Sequence, residues 1–406
     1  MSAERRLAKA HLIANRGGLL DVGEGVWIVP SQSKAKGGYM VNTAQGTCTC
    51  ADFEDWGADC KHILAVRLFQ SLQHHVQPHA STDIMRPSYP QDWPAYNEAQ
   101  TKEKEYFHIL LRDLCAGVVS PPQNRGRPRL GLGDVVHAAT TKVYTTMSGR
   151  RASTDVRECQ KNGFIDDAPH HNSISHYLTM PALTPVLTAL VRETALPLVS
   201  VESQFAIDST GFGTSVYDRW YGHDYGEERR KRWLKAHAMV GTITNVVTAI
   251  RVTMGSVGDS TQLAGLVAST AENFDMHEVS ADKGYLSEPN LVAIEAHGAA
   301  PFIPFKKNAV SNLPRTETWR KLWHLFWYKR DEFLKHYHRR SNVEATFGMI
   351  KKKFGGSLRS KKFQSQVNEV LCKFLCHNIV VLIHEMHELG IHPEFWQPSE
   401  GGRVLH

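Results

Sequence analysis

The chain has 406 residues with a formal net charge of +6, enough length for two or three domains with sizeable cores. That charge is modest for the length, so its distribution says more than its sum. Seven cysteines, odd in number and unevenly spread, exclude a disulfide framework. The N-terminus (Met1-Ser-Ala-Glu-Arg-Arg) lacks the long apolar core of a signal peptide. The late apolar segment Val370–Met386 is interrupted by Lys373, His377, His384 and Glu385, so it is not expected to span a bilayer. A soluble, intracellular chain is expected.

In chain order, Gly25-Val-Trp-Ile-Val29 and Gly38-Tyr-Met-Val41 read as short strands. Cys48-Thr-Cys50 follows, then after nine residues Cys60-Lys-His62, and His62–Phe69 has helical apolar spacing. Three thiols and an imidazole in two close pairs suit tetrahedral Zn²⁺. The pattern resembles the SWIM zinc finger, Cys-x-Cys followed by Cys-x-His, a family that serves both DNA and protein contacts. This module is expected over residues 1–77. Cys372 and Cys376 read as buried core thiols, and Cys115 and Cys159 carry no partner pattern.

Residues 78–130 read as a linker with one helix. His79–Pro94 is rich in Pro, Ser and Asp, a helix runs from about Tyr96 to Ala116, and Ser120–Arg129 is basic. The core of that basic segment, Arg125-Gly-Arg127-Pro, looks like an AT-hook, whose arginines lie in a narrow minor groove; a solvated basic linker fits equally well. Residues 131–200 read as helical, with breaks near Gly163, Pro169 and Pro181. With Arg150, Arg151 and Arg157 they suit either a helix-turn-helix DNA reader or a plain helical connector.

From Gln204 strands and helices alternate. Gln204–Asp208 is a strand ending on an acid, and Ala236–Ile243 and Val246–Val252 form a hairpin. Ser260–Asn273 is helix, His277–Asp282 a second strand ending on an acid, Ser287–His297 helix, and Ala300–Phe305 a last short strand. Helices from about Thr316 to Phe333 and around Glu344 complete the region. This is the order of an RNase H-like domain, a mixed sheet flanked by helices, here spanning 201–390 before a tail at 391–406. In that fold the first strand and the strand after the helix are neighbours. Asp208 and Asp282 then meet, with Glu344 opposite. Taken singly, each acid reads equally well as a turn cap or a surface ion-pair partner.

The run Tyr337–Lys351 is the most specific. On one helix Tyr337, Arg340, Glu344 and Lys351 share a face, which holds one acid among cations. Between Arg315 and Lys362, Lys and Arg outnumber Asp and Glu by about fourteen to four. Lys351, Lys352 and Lys353 read as partly solvated and partly phosphate-facing. Trp220, Tyr221 and Trp233 interleave with the charges of Glu227–Lys235 and can stack on bases, whereas His237 reads as a core histidine. Trp319, Trp323, Phe326 and Trp327 have core spacing.

Ala206-Ile-Asp-Ser-Thr-Gly211, Ala281-Asp-Lys-Gly-Tyr285 and the Tyr-x2-Arg-x3-Glu-x6-Lys signature resemble a DDE transposase of a prokaryotic insertion sequence. Asn378, in Leu375-Cys-His-Asn378, looks like the C-terminal helix of such enzymes. The resemblance covers about residues 204–386 and does not extend to the N-terminal zinc module. It implies a metal-dependent DNA-cutting and strand-transfer enzyme with Asp208, Asp282 and Glu344 as catalytic ligands of Mg²⁺ or Mn²⁺. It implies phosphate contacts by Tyr337, Arg340 and Lys351, double-stranded DNA as partner, and a homo-oligomer on paired ends without any membrane. The expected location is the prokaryotic cytoplasm, with the nucleoid. A regulator that binds DNA without chemistry, and a structure-selective nuclease that cuts without joining, are the competing classes.

Overall fold

The computed structural model describes residues 3–16, 19–23, 25–31, 38–56, 59–75, 92–123, 126, 128–214, 233–306 and 316–396. The expected AT-hook arginines Arg125 and Arg127, the Glu227–Arg232 run with Trp220 and Tyr221, and most of the 79–94 linker lie outside the described residues. The chain divides into two units, Met1–Pro90 and Gln91–His406.

In the first unit a helix α1 (Ala3–Arg16) precedes an antiparallel meander of β1 (Leu20–Gly23), β2 (Val26–Pro30), β3 (Gly38–Asn42) and β4 (Thr47–Cys48). Two helices follow, α2 (Ala51–Trp56) and α3 (Lys61–His75). Alternation along β2 turns Trp27 and Val29 inward, where they join Val41, Ile63 and Val66 in a small separate core. That core also contains Cys48, Cys50 and Cys60.

The second unit begins with α4 (Trp93–Ala116), three residues before the expected start. The Asp92 carboxylate accepts from the Ala95 amide at 3.1 Å and Pro94 fits the first turn, so a cap and a proline move the boundary forward. Then come α5 (Leu132–Tyr144), α6 (Gly149–Lys161), α7 (His171–Tyr177) and α8 (Leu183–Glu193). Helix α6 buries Ala152, Val156 and Cys159 and exposes Arg150, Arg151 and Arg157, an amphipathic helix with a cationic outer face. The helices α4 to α8 share one continuous hydrophobic core with the sheet that follows.

The sheet has β5 (Gln204–Gly213), β6 (Trp233–Gly241), β7 (Val247–Met254), β8 (Glu278–Ala281) and β9 (Ala300–Phe302), in the order β7-β6-β5-β8-β9. The first three strands are antiparallel, and β5, β8 and β9 run parallel. Helices α9 (Leu263–Ala271) and α10 (Glu288–Glu295) make the crossovers. The β6–β7 hairpin closes at Gly241, two residues earlier than the periodicity suggests. The buried Glu202 carboxylate accepts from the Thr244 amide at 2.6 Å and its hydroxyl at 2.8 Å, and from the Ile243 amide at 3.1 Å. These bonds pull residues 242–245 into a turn, with Asn245 at φ +66°. A Cβ on Gly241 would overlap that same carboxyl group, so only glycine fits there.

After β9 come α11 (Glu317–Tyr328), α12 (Arg330–Tyr337), α13 (Ser341–Phe354) and the long α14 (Phe363–Glu388). Trp319 and Phe326 of α11 are core residues as expected, but Trp327 is exposed. By length and composition α14 is apolar enough to cross a bilayer, yet 94% of its apolar window is buried inside the protein. It is the central helix of the unit, and all four polar interruptions noted in the sequence lie along it. Lys373 donates to the carbonyls of Phe354, Gly355 and Ser357 and so closes the end of α13.

Asn378 is fully buried on α14. Its Oδ1 accepts from the Val247 amide at 2.9 Å, and its Nδ2 donates to the carbonyls of Val247 and Val191 and to the Thr194 hydroxyl. It thereby joins α14 to β7 and to the end of α8. Asn378→Leu strands several buried polar groups and is expected to cost roughly 2–4 kcal/mol in denaturant unfolding. A loss below about 1 kcal/mol would show the network to be dispensable.

Burial pushes the Glu385 carboxyl up to about 7, with the charges of Glu388 and Glu202 adding to the rise. The unfolded value is near 4.3, so between about 4.3 and 7 the folded chain holds a proton that the unfolded chain releases. Its contribution is fully present below the unfolded pKa and is lost as pH rises through 7. Glu385→Gln is therefore expected to gain on the parent by up to about 3 kcal/mol at pH 8 and nothing near pH 4. Urea midpoints across that range test this; a gain independent of pH contradicts it.

Candidate active site and metal centre

The parallel pairing of β5 with β8 runs in register from Gln204 opposite Glu278 to Ile207 opposite Ala281. Asp208, midway along β5, and Asp282, just after β8, come next in register, so the two acids stand side by side on adjacent inner strands. Asp282 caps the turn Lys283–Tyr285, its Oδ1 accepting the Lys283 amide at 2.7 Å.

The Tyr337–Lys351 run departs from the expected single helix. Tyr337 ends α12, a 3-10 turn covers His338–Arg340, and Glu344 and Lys351 lie on α13. Backbone dihedrals stay right-handed helical through the junction, so the neighbours on the face survive the change of hydrogen bonding. The junction is fastened to the sheet by Arg339, which ion-pairs with Glu278 at 3.0 Å and reaches Gln204. His336 also meets Glu278, at 2.9 Å, and Asn342 donates to the Thr242 carbonyl.

That anchorage aims Arg340 between the acids. Its Nη1 is 3.0 Å from Asp208 Oδ2 and its Nη2 is 2.6 Å from Glu344 Oε1, while the guanidinium lies 5.8 Å from the Tyr337 ring centre. Burial raises the pKa of Asp208; the Ser209 amide and Arg340 oppose that rise, and the charges of Glu344 and Asp282 add to it. The three carboxylates therefore feel one another. They do not form a closed cage, because Arg340 spans two of them. Glu344 is largely exposed and has Arg340 as its partner.

Lys351 lies further along α13, its ammonium 5.6 Å from the Phe212 ring, and burial lowers its pKa. Lys352 is exposed, and Lys353 ion-pairs with Glu103 of α4. Trp233 lies across Gly211 and Gly255 with the Lys235 ammonium 5.2 Å from its ring. His237 is buried on the sheet face opposite Asp208 by strand alternation, between Asp259 at 3.4 Å and Thr253 at 2.8 Å. Tyr285 was not singled out from sequence. Its buried hydroxyl feels the Asp208 charge, a position only its place three residues after Asp282 hinted at.

In the first unit the ligand atoms of Cys48, Cys50, Cys60 and His62 all lie within 4.8 Å of one another, and all four residues are buried. Strand β4 delivers Cys48, the turn before α2 delivers Cys50, and the start of α3 delivers Cys60 and His62. His62 Nδ1 is 3.8 Å from Cys48 Sγ, and its ring packs at 4.6 Å on Tyr39. The contact between the two thiols lowers the Cys60 pKa and raises that of Cys48, as expected of thiols sharing one proton. A Cys₃His cluster of this kind matches a tetrahedral metal site in donor type and number. All seven cysteines are free.

The second unit is thus an α/β domain whose mixed sheet presents two aspartates from adjacent inner strands, with a glutamate and cations facing them from a helix. Such a site is suited to a divalent cation and a polyanion together. Residues 200–379 match the family model described as the transposase DDE domain. That span contains all three acids, Tyr337, Arg340 and Lys351, and it supports a transposase function acting on DNA.

Proposed function

We propose that the chain is a DNA transposase of the insertion-sequence type, cutting at element ends and joining them to target DNA by 3′-hydroxyl attack. The observation that carries this reading is the juxtaposition of Asp208 and Asp282 by β5 and β8, with Glu344 facing them, inside the matched segment. The sheet order, with the first and fourth strands as parallel neighbours, supports an RNase H-like core.

Asp208, Asp282 and Glu344 would together hold Mg²⁺ or Mn²⁺, hard ions that prefer carboxylate oxygen. Paired cations supply activation of the attacking oxygen and stabilisation of the leaving one. Arg340 holds the acids together by supplying positive charge between them. Its planar fork also suits a phosphate of the cleaved end. Tyr337 supports the guanidinium, and Lys351 extends the cationic track along α13. Water attacks first, and the freed 3′-hydroxyl then attacks the target, so no covalent protein–DNA link forms.

The Cys48, Cys50, Cys60 and His62 cluster holds Zn²⁺ as a SWIM-like module, and Arg125 and Arg127 add DNA contacts. Double-stranded DNA is the partner, and a homo-oligomer on paired ends is the working form, in the cytoplasm beside the nucleoid. The test incubates purified protein with labelled linear DNA carrying the element ends and Mg²⁺ or Mn²⁺, beside Asp208→Ala. Nicked and joined products that vanish in the variant support the reading. Nicks without joined products point to a nuclease, and metal-independent binding without cleavage to a regulator.

A further inference from the structure

Cys159 has no sequence neighbour with which to form a motif, yet in the fold it meets two histidines. His108 of α4, His137 of α5 and Cys159 of α6 place one ligand atom each within 4.8 Å of one another, and all three are buried. Cys159 Sγ is 3.6 Å from His108 Nδ1. With Zn–S near 2.3 Å and Zn–N near 2.0–2.1 Å, two donors on a tetrahedral ion stand about 3.5 Å apart. A thiol–imidazole hydrogen bond has a similar length, and the Thr141 hydroxyl lies against both Cys159 and His137, so the three side chains and this hydroxyl share one buried polar cluster. His137 is fully buried, its Nδ1 faces the Thr141 hydroxyl at 3.4 Å, and its Nε2 makes no hydrogen bond of normal geometry, although the His108 backbone lies near the ring. A buried ring nitrogen without a well-formed hydrogen bond is costly, and a hydroxyl beside a ligating imidazole can orient it.

The surroundings fit an ion as well. Phe164 stacks on both imidazoles, with ring centres 5.4 and 6.4 Å away, and fixes their planes. Both rings are buried, which favours the neutral imidazole that keeps a lone pair for a metal. Asp155 and Glu158 place negative charge near Cys159, and Lys104 places one positive charge near Cys159 and His108.

We propose that His108, His137 and Cys159 form a second zinc site, of three protein ligands, that pins α4, α5 and α6 together. Binding displaces the Cys159 thiol proton to solvent and forms one Zn–S and two Zn–N bonds. The role is structural, since the site is closed off within the core and holds none of the three carboxylates.

Zinc content of the full-length chain, measured by elemental analysis, tests this separately from the Cys48/Cys50/Cys60/His62 site. The expected result is two equivalents in the parent, one in Cys159→Ser, and one in Cys48→Ser/Cys50→Ser/Cys60→Ser. One equivalent in the parent that survives in Cys159→Ser overturns the proposal. One equivalent that is lost only in Cys159→Ser upholds it and instead overturns the first site. If Cys159→Ser fails to fold, Co²⁺ titration of the Cys48→Ser/Cys50→Ser/Cys60→Ser chain decides. A thiolate-to-cobalt charge-transfer band at one equivalent is then expected, and its absence overturns the proposal.

Discussion

Glu344→Gln is expected to abolish metal-dependent cleavage and joining while leaving the melting temperature unchanged. The Glu344 side chain is 58% exposed and its partner is Arg340, four residues earlier on the same helical face. An exposed pair of that spacing contributes only about 0.3–0.5 kcal/mol, too little to move a melting curve noticeably. The chemical effect is of another order. Gln keeps the shape and one acceptor but removes the anionic oxygen through which one cation is held. Losing several kcal/mol of transition-state stabilisation corresponds to a drop of about a thousandfold or more. The comparison to make is single-turnover cleavage under saturating Mg²⁺ beside a thermal melt. A fall of less than about tenfold would remove Glu344 from the ligand set. A large fall in melting temperature would show that the Arg340 bridge holds the fold rather than the site. Asp208→Ala loses the same activity but is less clean, because Asp208 is more deeply placed and bears the other arm of Arg340.

Removal of metal from the Cys48, Cys50, Cys60 and His62 cluster is the second large effect, and it falls on the first unit alone. Among its described residues that unit has a core of about a dozen buried side chains, three of them the cluster's own cysteines. A unit of this size is marginal by burial alone. Structural zinc supplies roughly 10–16 kcal/mol of apparent binding free energy at neutral pH, which becomes folding free energy where the site does not exist in the unfolded chain. Chelation, or Cys60→Ser, is therefore expected to unfold the Met1–Pro90 unit and leave the Gln91–His406 unit folded. Limited proteolysis should digest the first unit within the time that the parent resists, while a large fragment of the second survives. Acidification should act in the same direction, since thiolates and a neutral imidazole are needed to hold the ion. An unchanged digestion pattern after chelation would make the cluster a set of packed thiols and a ring.

The two sites differ in how far they could be read from residue order. Cys48-x-Cys50 and Cys60-x-His62 lie within fifteen positions, and β4, one turn and the start of α3 return them to one point. Local spacing was enough there. Asp208 and Asp282 were legible as acids that follow apolar runs, but β5 continues past Asp208 to Gly213, so only Asp282 stands at a strand's end. Their adjacency depended on which strands pair, and the parallel β5–β8 register supplies it. Glu344 and Arg340 were legible as helical neighbours. That Arg340 bridges both Asp208 and Glu344 was not, since the contact joins residues 132 positions apart. The 3-10 turn at His338–Arg340 was invisible for a different reason: its dihedrals are nearly helical, and only its fastening to Glu278 and Gln204 marks it.

What residue order determined by itself was everything carried by short-range periodicity and donor type. That includes the Cys₃His cluster, the alternation of strands and helices after Gln204, and the acid and cations of the Tyr337–Lys351 run. Tertiary structure alone decided what depends on chains meeting at long separation. It made α14 the buried centre of the second unit instead of a surface helix, and put the α4–α8 helices into the same core as the sheet. It set Glu202 beneath the 242–245 turn and brought Cys159 to His108 and His137. Each of these follows from burial, which selects partners by shape and unsatisfied polarity without regard to their distance along the chain.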